Sequence, residues 1–223
     1  DLTGFGQWLN SRDSQYVYSP GSHRRPAQLP EPHDNDLRHL SARLAKHTDK
    51  VDVSLSSGFT WHDVRDTLDA TQGASGFGLT DPRLLIDDRN YRIWDSEARI
   101  ASNSGAIRWL VGLSHVAARQ DRKATLEGGI ADPTLTVDAE RRSFLDSAAF
   151  GEVTAPLSDA LKLSVGGRLF RSEVTQSGSL LGAATTDERR RQGVTPSASL
   201  SWTPQPGRLV FVRYGSAFRQ GAI

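Results

Sequence analysis

Alternation of apolar and polar residues, sustained over long segments, is the feature that most limits the fold of this chain. In the segment VDVSLSSGFTW, at 51–61, Val51, Val53, Leu55, Phe59 and Trp61 point to one side, and mostly polar residues fill the positions between them. A period of two over this length predicts a β-strand with one apolar face, because successive side chains of a strand point to opposite sides. Similar alternation recurs along the chain, and no segment shows a convincing amphipathic helix.

The turns follow a second rhythm. Short polar turns at 47–50, 102–105, 156–159 and 204–207 alternate with long polar connections at about 13–35, 67–90, 124–140 and 174–189. The rhythm predicts about nine strands, at 4–12, 36–46, 51–66, 91–101, 106–122, 141–155, 160–173, 190–203 and 208–219. Strands of soluble sheets usually have about 5–6 residues, whereas a tilted strand that crosses a bilayer needs about 9–11.

The residues on the second face decide what the apolar face meets. In a β-sandwich, large apolar residues from two sheets form the core, but here the second face consists mostly of Ser, Thr, Gly, Arg, Lys and Asp. A polar second face and turns that are short at one end only are typical of a transmembrane β-barrel with short periplasmic turns and long extracellular loops. We therefore expect an all-β, antiparallel barrel segment in contact with outer-membrane lipid. A complete soluble β-protein that acts as a binding module stays open as an alternative.

Composition excludes several other classes. The chain has no cysteine, so disulfides and thiolate metal sites are impossible, and its net charge of +1 argues against a dedicated nucleic-acid binder. No apolar run approaches the roughly 18 residues of a membrane helix. The absence of methionine, even at position 1, leads us to expect a processed chain or an internal fragment.

Aromatic residues lie near both ends of the predicted strands. Trp109 and Trp202 lie near the short turns, whereas Trp61, Tyr214 and Phe218 lie toward the opposite ends. Transmembrane barrels carry such girdles at both membrane interfaces. We therefore predict that these five residues are interface aromatics, although aromatic residues are common in any strand.

Three segments resemble the barrel of TonB-dependent outer-membrane receptors. YRIWDSEARIASNSGAIRWLVGLSH, at 91–115, is similar to the family's E-x-R-x-x-S strand followed by an RWLVG strand. SAAFGEVTAPLSDALKLSVGGRLFRSE, at 147–173, and TPSASLSWTPQPGRLVFVRYGSAFRQG, at 195–221, resemble the family's following hairpins. The resemblance is weaker over 1–90, where only the general hairpin form fits.

The resemblance implies a function for the intact protein. It places the chain in the middle of a 22-stranded barrel, as a partial barrel domain over 1–223, with a plug domain before it and closing strands after it. Such a receptor imports a scarce nutrient, of the ferric siderophore, cobalamin or oligosaccharide type, across the outer membrane of a Gram-negative bacterium with energy from TonB. A passive porin-like or structural barrel is the main alternative.

Charged residues of the polar face are the candidate contact sites. Six of them are predicted to face the barrel interior: Glu97, Arg99, Arg108, Glu152, Arg168 and Arg213. They form either a ladder of ion pairs in the barrel wall or contacts to the plug or the substrate, and the ladder is the favoured interpretation. His62 and His115 are expected to line the same polar face. The run DERRR at 187–191 is either a solvated charge cluster or a contact to an anionic lipid or ligand.

No residue pattern predicts catalysis or a metal site. His23 and His33 share a proline-rich connection with Asp34 and Asp36, but their spacing matches no ligand motif. No nucleophile–base pair, phosphate-binding loop or pair of catalytic carboxylates occurs at useful spacing. We expect no enzyme activity and no cofactor.

Overall fold

The computed structural model describes residues 1–14, 21, 27–73 and 76–218, which form one antiparallel sheet. Nine strands follow each other in chain order across this sheet: β1 (Leu2–Ser11), β2 (His33–His47), β3 (Val51–Asp69), β4 (Leu84–Ser102), β5 (Arg108–Glu127), β6 (Leu135–Pro156), β7 (Leu161–Leu180), β8 (Ala183–Gln205) and β9 (Arg208–Gly215). Within the described ranges, no helix is long and apolar enough to cross a membrane. The predicted all-β antiparallel fold with nine long strands is confirmed.

The four short turns lie at one end of the sheet, as predicted. They join β2 to β3, β4 to β5, β6 to β7 and β8 to β9. Local chemistry closes them: the Thr48 hydroxyl donates to the Val51 carbonyl (2.7 Å) and accepts from the Val51 amide (3.0 Å). Gly207 adopts a φ of 81°, a conformation that glycine tolerates without strain. We call this end of the sheet the short-turn end.

At the opposite end, which we call the long-connection end, one predicted loop is absent. Residues 174–189 were expected to form a long polar connection, but β7 continues to Leu180 and β8 begins at Ala183. The turn between them consists of Leu181 and Gly182, with φ of 48° and 83°, and a two-residue turn with both φ values positive matches the twist of a hairpin. The prediction was wrong because this hairpin is polar on both faces, so the alternation that marks a one-sided strand is missing.

Cross-strand pairing divides the side chains into an apolar face and a polar face. On the apolar face, a mainly apolar band begins at the short-turn end of each central strand. On β5 it covers 109–117, with His115 as the one polar side chain, and Arg119 follows it; on β7 it covers 161–169, and Arg171 follows it. On β3 it extends from Val51 to Trp61. A band of about 9–11 residues matches the thickness of a bilayer for a tilted strand.

Several large side chains of this apolar band are exposed. Leu113 is 61% exposed and Leu169 is 60% exposed. Within the part of the chain that the structure describes, a single sheet is present and β1 and β9 each have one neighbouring strand. The second apolar layer that a soluble β-sandwich needs is therefore missing from the described residues.

Candidate functional site: the polar face of the sheet

The six charged residues predicted from sequence all lie on the polar face. Pairing joins Arg99 to Gly112, Gly112 to Phe150 and Phe150 to Arg168, so the side chains of these positions share one side of the sheet. Cross-strand pairing and alternation along each strand place four more residues on that side: Glu97, Arg108, Glu152 and Arg213. The shared placement does not by itself assign a role to any of them.

Local contacts hold Arg99 against the wall. Arg99 forms an ion pair with Glu97 on the same strand, and its guanidinium lies 5.7 Å from the centroid of the Phe150 ring. Phe150 in turn covers Gly112, where an added Cβ atom would clash with the ring. Packing of an aromatic ring over a cross-strand glycine stabilises a sheet and fixes its register. Arg99 and Glu97 therefore belong to a packed part of the wall.

Glu152 lies between two predicted arginines near β8 and β9. Glu152 and Arg168 line one groove of about 400 Å³, together with Thr195 and Ser197. Glu152 also lines a neighbouring groove of about 340 Å³ with Arg213. Arg168 forms an ion pair with Asp146 of β6. The structure thus gathers Glu152, Arg168 and Arg213 into one surface that offers carboxylate, guanidinium and hydroxyl groups to a polar segment or solute.

Arg108 lies at the short-turn edge of this surface. It is the first residue of β5, and its guanidinium donates weakly to the Ser102 carbonyl at 3.5 Å. Arg108 pairs with Thr154, which is two residues from Glu152 on the same face of β6. The pair Glu97–Arg99 lies on β4, two strands from β6.

A larger ion-pair ladder lies on the polar face toward the long-connection end, and sequence reasoning missed it. Arg122 of β5 donates to both Asp87 oxygens of β4 at 2.9 Å and to Asp138 of β6 at 2.8 Å. Asp66 of β3 binds Arg89 of β4 and lies 2.5 Å from the Nδ1 atom of His33 of β2. We call these six residues the lumen ladder. It escaped prediction because the predicted strands at 91–101 and 141–155 were too short, which placed Asp87, Arg89 and Asp138 in loops. The opposite charges within the segments LLIDDRNY and TVDAERR could have indicated that the strands continue.

The long connections are anchored to the ends of the strands. The Asp69 carboxylate, at the end of β3, accepts hydrogen bonds from the backbone amides of Gln28, Leu29 and Thr71. Burial alone would raise the pKa of Asp69, but the hydrogen bonds from Thr71, Gln28 and Leu29 outweigh it and lower the pKa to about 2. The Asp69 carboxylate therefore fastens the connection between β1 and β2 to the end of β3.

A second clamp joins two other connections. The Asp132 carboxylate accepts hydrogen bonds from the amide (2.7 Å) and hydroxyl (2.6 Å) of Thr80. These hydrogen bonds from Thr80 lower the pKa of Asp132 below its usual value. The connection between β3 and β4 is thereby held against the connection between β5 and β6.

Four of the five predicted interface aromatics lie on the apolar face. Trp109 pairs with Val153, Trp202 with Leu161 and Val210, Trp61 with Arg38 and Arg92, and Tyr214 with Ala198. Phe218 does not join them, because β9 ends at Gly215 and the Phe218 ring stacks on Phe170 of the polar face, with 4.3 Å between centroids. Alternation along a strand predicts the face of a side chain only while the strand is paired, so it does not apply to Phe218.

The histidine predictions need one correction. His62 lies on the polar face as predicted, and its ring stacks on the Tyr91 ring with 5.5 Å between centroids. His115 instead lies on the apolar face, where its ring contacts Trp94 and its Nδ1 atom shares a hydrogen bond of 2.8 Å with the Ser147 hydroxyl. His115 continues the row of Trp109, Val111 and Leu113, and the earlier assignment broke that row. His23 lies outside the described residues. Elsewhere in the described ranges, His, Asp and Glu side chains do not gather in a group that could hold a metal ion.

Comparison with known proteins places this sheet in a family. A family model described as TonB dependent receptor-like, beta-barrel matches residues 1–223. A search of curated protein sequences finds no significant match.

Solved structures share the fold. The ferric yersiniabactin uptake receptor FyuA from Yersinia pestis has a TM-score of 0.61 at 18% identity, over 82% of this chain and 28% of that one. The copper transporter OprC has a TM-score of 0.65 at 13% identity, over 83% of this chain and 30% of that one. The siderophore receptor PiuA from Acinetobacter baumannii has a TM-score of 0.62 at 12% identity, over 83% of this chain and 32% of that one. The chain therefore spans about a third or less of the length of these structures. With the family model covering every residue, the chain belongs to the TonB-dependent receptor β-barrel family.

Proposed function

We propose that this chain forms part of the barrel wall of an outer-membrane receptor that imports a scarce nutrient with energy supplied through TonB. The observation that carries the proposal is the apolar band of 9–11 residues on one face of strands whose other face is polar and ion-paired. Backbone groups in hydrocarbon must all be paired, so a sheet can cross a bilayer only as part of a closed barrel. We propose that further strands close this sheet, as in the 22-stranded barrels that the family resemblance implies.

The polar face would then line the barrel interior. In that arrangement the Glu152 surface faces a plug domain, which connects the receptor to TonB, and the lumen ladder stiffens the wall near the extracellular opening. The family membership and the names of the similar structures, which are an uptake receptor, a copper transporter and a siderophore receptor, support outer-membrane transport in general. For the nutrient itself, we propose the ferric siderophore, cobalamin or oligosaccharide type that the family resemblance implies. The location that follows is the outer membrane of a Gram-negative bacterium.

Cysteine scanning tests the membrane placement. The chain contains no cysteine, so each single-cysteine variant of the intact receptor carries one label site in this segment. In vesicles, we expect a water-soluble maleimide to label Ser164→Cys and Arg168→Cys through the aqueous lumen, and to leave Leu163→Cys and Val165→Cys unlabelled. Labelling of all four positions, or a fragment that is soluble, monomeric and cooperatively folded without detergent, would contradict the proposal.

Energised uptake tests the transport function. Cells that carry the intact receptor should take up its nutrient only when TonB is present, whereas a passive porin-like barrel would admit solute equally in cells that lack TonB. The readout is growth on limiting nutrient, with each candidate class supplied in turn. Equal growth of both strains would reject the energised receptor and favour the porin-like alternative.

A further inference from the structure

β8 extends well past the strand beside it, so part of one edge of β8 has no neighbour. β7 pairs with β8 over 183–202, whereas β9 pairs only over 197–205 and ends at Gly215. The chain then turns onto the polar face, where Phe218 stacks on Phe170. Because the strands follow chain order across this sheet, a further strand would pair with β9 and not with β8. Residues 183–195 therefore form an open edge among the described residues, which we call the β8 edge.

The backbone groups of the β8 edge point outward at alternate residues. Past the end of β9, the Ser216 amide donates to the Pro196 carbonyl at 3.0 Å, so the backbone of Pro196 faces away from β7. Successive residues of a strand direct their N–H and C=O groups to opposite sides, and the pairing with β7 runs without a bulge. The outward backbone groups therefore belong to the even-numbered residues of the edge: Ala184, Thr186, Glu188, Arg190, Gln192 and Val194.

The β8 edge lies almost entirely beyond the apolar band. On β8 the band ends at Val194, and every residue from 183 to 192 is exposed. A long unpaired edge is a template for strand addition, and many proteins shorten, twist or cover such an edge to prevent it. Here the pairing with β7 continues to Ala183, so the backbone is already extended and ordered for a partner.

Charge on the β8 edge is satisfied on one face and open on the other. On the apolar face, Arg190 forms an ion pair with Glu173 at 3.1 Å. On the polar face, Arg191 is exposed and has no ion-pair or hydrogen-bond partner among the described residues. Its neighbour on β7 is Ser172, and the next residue in that row, Asp146 of β6, already binds an arginine of β7. The open position beside Arg191 is therefore the one that a strand added to the edge would fill.

We propose that the β8 edge binds an extended peptide segment of a partner protein by antiparallel strand addition, with a carboxylate of that segment paired with Arg191. In this mode of recognition, main-chain hydrogen bonds give affinity and side-chain contacts give specificity. The carboxylate sets the register, which a strand that is polar on both faces specifies only weakly. The inference rests on the proposed function, because the edge must lie outside the membrane to be reached.

Peptide binding to the intact receptor in nanodiscs tests the charge requirement. The probe is a short fluorescent peptide in which threonine and valine alternate around one central glutamate, and its anisotropy is followed during titration with receptor. We expect saturable binding that weakens about fivefold when lysine replaces the glutamate, because a cross-strand attraction becomes a repulsion. Arg191→Gln should erase this difference between the two probes. Arg190→Gln is the matched control and should retain it, since Arg190 points to the other face.

Methylation of the peptide tests strand addition itself. Because the Arg191 backbone faces β7, a glutamate paired with Arg191 directs its own N–H away from β8, and its two neighbours direct theirs toward β8. N-methylation of both neighbours should abolish binding, whereas N-methylation of the glutamate should leave most of it. On the receptor, Gln192→Pro removes one outward N–H and should weaken binding about fivefold. Gln192→Ala keeps the N–H and should bind as the unmodified receptor does.

Hydrogen exchange of the receptor controls for folding and for access to the edge. In the free receptor, the outward amide of Gln192 should exchange quickly and the Arg191 amide, which faces β7, should be protected. Addition of the glutamate probe should slow exchange at Gln192. A variant that loses protection at Arg191 has a disordered hairpin and is set aside, and the methylated probes on the unmodified receptor then decide the result.

Four results would overturn the proposal. Equal binding of the glutamate and lysine probes would remove the role of Arg191, and binding that ignores the position of the methyl group would exclude strand addition. Absence of binding by every probe would mean that the run DERRR guards the edge against pairing. Slow exchange at Gln192 in the free receptor would mean that another part of the receptor already covers the edge. In each case, normal TonB-dependent uptake and normal cysteine labelling would leave the proposed function intact, so the two failures can be told apart.

Discussion

Two neighbouring residues of β7, Arg168 and Leu169, show how differently the two faces of the sheet are stabilised. Arg168 points to the polar face, where it forms an ion pair with Asp146, whereas Leu169 points to the apolar face and is 60% exposed. In water, an extended surface of exposed leucine and valine would aggregate. The difference supports the proposal that the strands face two solvents, because charged side chains of the polar face find partners within the sheet, whereas the apolar face leaves its leucines exposed.

A charge introduced at mid-band should give the largest effect and tests this contrast directly. Leu113 is the central residue of the band on β5, and Ser114 beside it points to the polar face opposite Glu97. In the reconstituted receptor, Leu113→Arg should lower the free energy of unfolding by about 2–4 kcal/mol, because the guanidinium must enter hydrocarbon. Ser114→Arg should cost less than about 1 kcal/mol, since it meets water and a carboxylate.

The measurement is urea unfolding in vesicles, with the folded fraction read from the heat-dependent change in gel mobility. A similar loss of stability for Leu113→Arg and Ser114→Arg would mean that both faces meet the same environment, and the two-solvent interpretation would fail.

Removal of the central cation of the lumen ladder should have the next largest effect. Arg122 joins Asp87 and Asp138, so Arg122→Leu leaves the Asp138 carboxylate without this cation and leaves Asp87 with Arg89 alone, at 3.7 Å. We expect a loss of about 1–2 kcal/mol in the free energy of unfolding, discounted because the Arg122 side chain is about one-third exposed. Arg65→Leu on the apolar face breaks one contact of 3.7 Å and should cost less than about 0.5 kcal/mol.

The same unfolding assay at high salt provides the check on mechanism. Salt screens the repulsion among the carboxylates that Arg122→Leu leaves behind, so the penalty of this substitution should shrink as the ionic strength rises. A penalty that stays constant with salt, or one no larger than that of Arg65→Leu, would show that the ladder does not stiffen the wall.

The sequence predicted the sheet well where one face is apolar and poorly where both faces are polar. The alternation at 51–61 locates β3, and the turn Pro206-Gly207 locates the last hairpin. Beyond the band, β7 carries polar residues on both faces, with Thr175 and Ser177 on one and Gln176 on the other, so no apolar periodicity marks them as strand residues. The same loss of signal hid Asp87 and Asp138, which is why the lumen ladder could not be predicted although Glu97 and Arg168 were placed correctly on the polar face.

Acid should release the connection between β1 and β2 before the barrel itself. Because the folded-state pKa of Asp69 is about 2, below its usual value of 3.8, the carboxylate stabilises the folded form above pH 4, and this stabilisation is lost as pH falls from about 4 to 2. After allowance for solvent screening, we expect about 1 kcal/mol, which corresponds to a fivefold loss of protection of the Gln28 and Leu29 amides.

Hydrogen exchange, corrected for the intrinsic pH dependence of the rates, measures this protection at neutral and acid pH. Asp69→Asn should show weakened protection at both pH values, whereas Asp49→Asn, in the exposed short turn between β2 and β3, should behave as the unmodified receptor does. Protection of Leu29 that is independent of pH would contradict the role of Asp69.

The smallest effect is expected where the sheet extends beyond the band and both faces meet water. Arg190 contacts Glu173 at 3.1 Å and Glu188 at 2.5 Å, but its side chain is 61% exposed. Such ion pairs contribute little because water screens them and two long side chains must be ordered, so Arg190→Gln should lower the free energy of unfolding by about 0.5 kcal/mol or less. Arg190→Lys, which keeps the charge, should lose less than Arg190→Gln, and the difference should vanish at high salt. A salt-resistant loss above about 1 kcal/mol would place Arg190 in a low-dielectric environment, and the contrast between the lipid-facing band and the water-exposed hairpin would then have to be redrawn around 187–191.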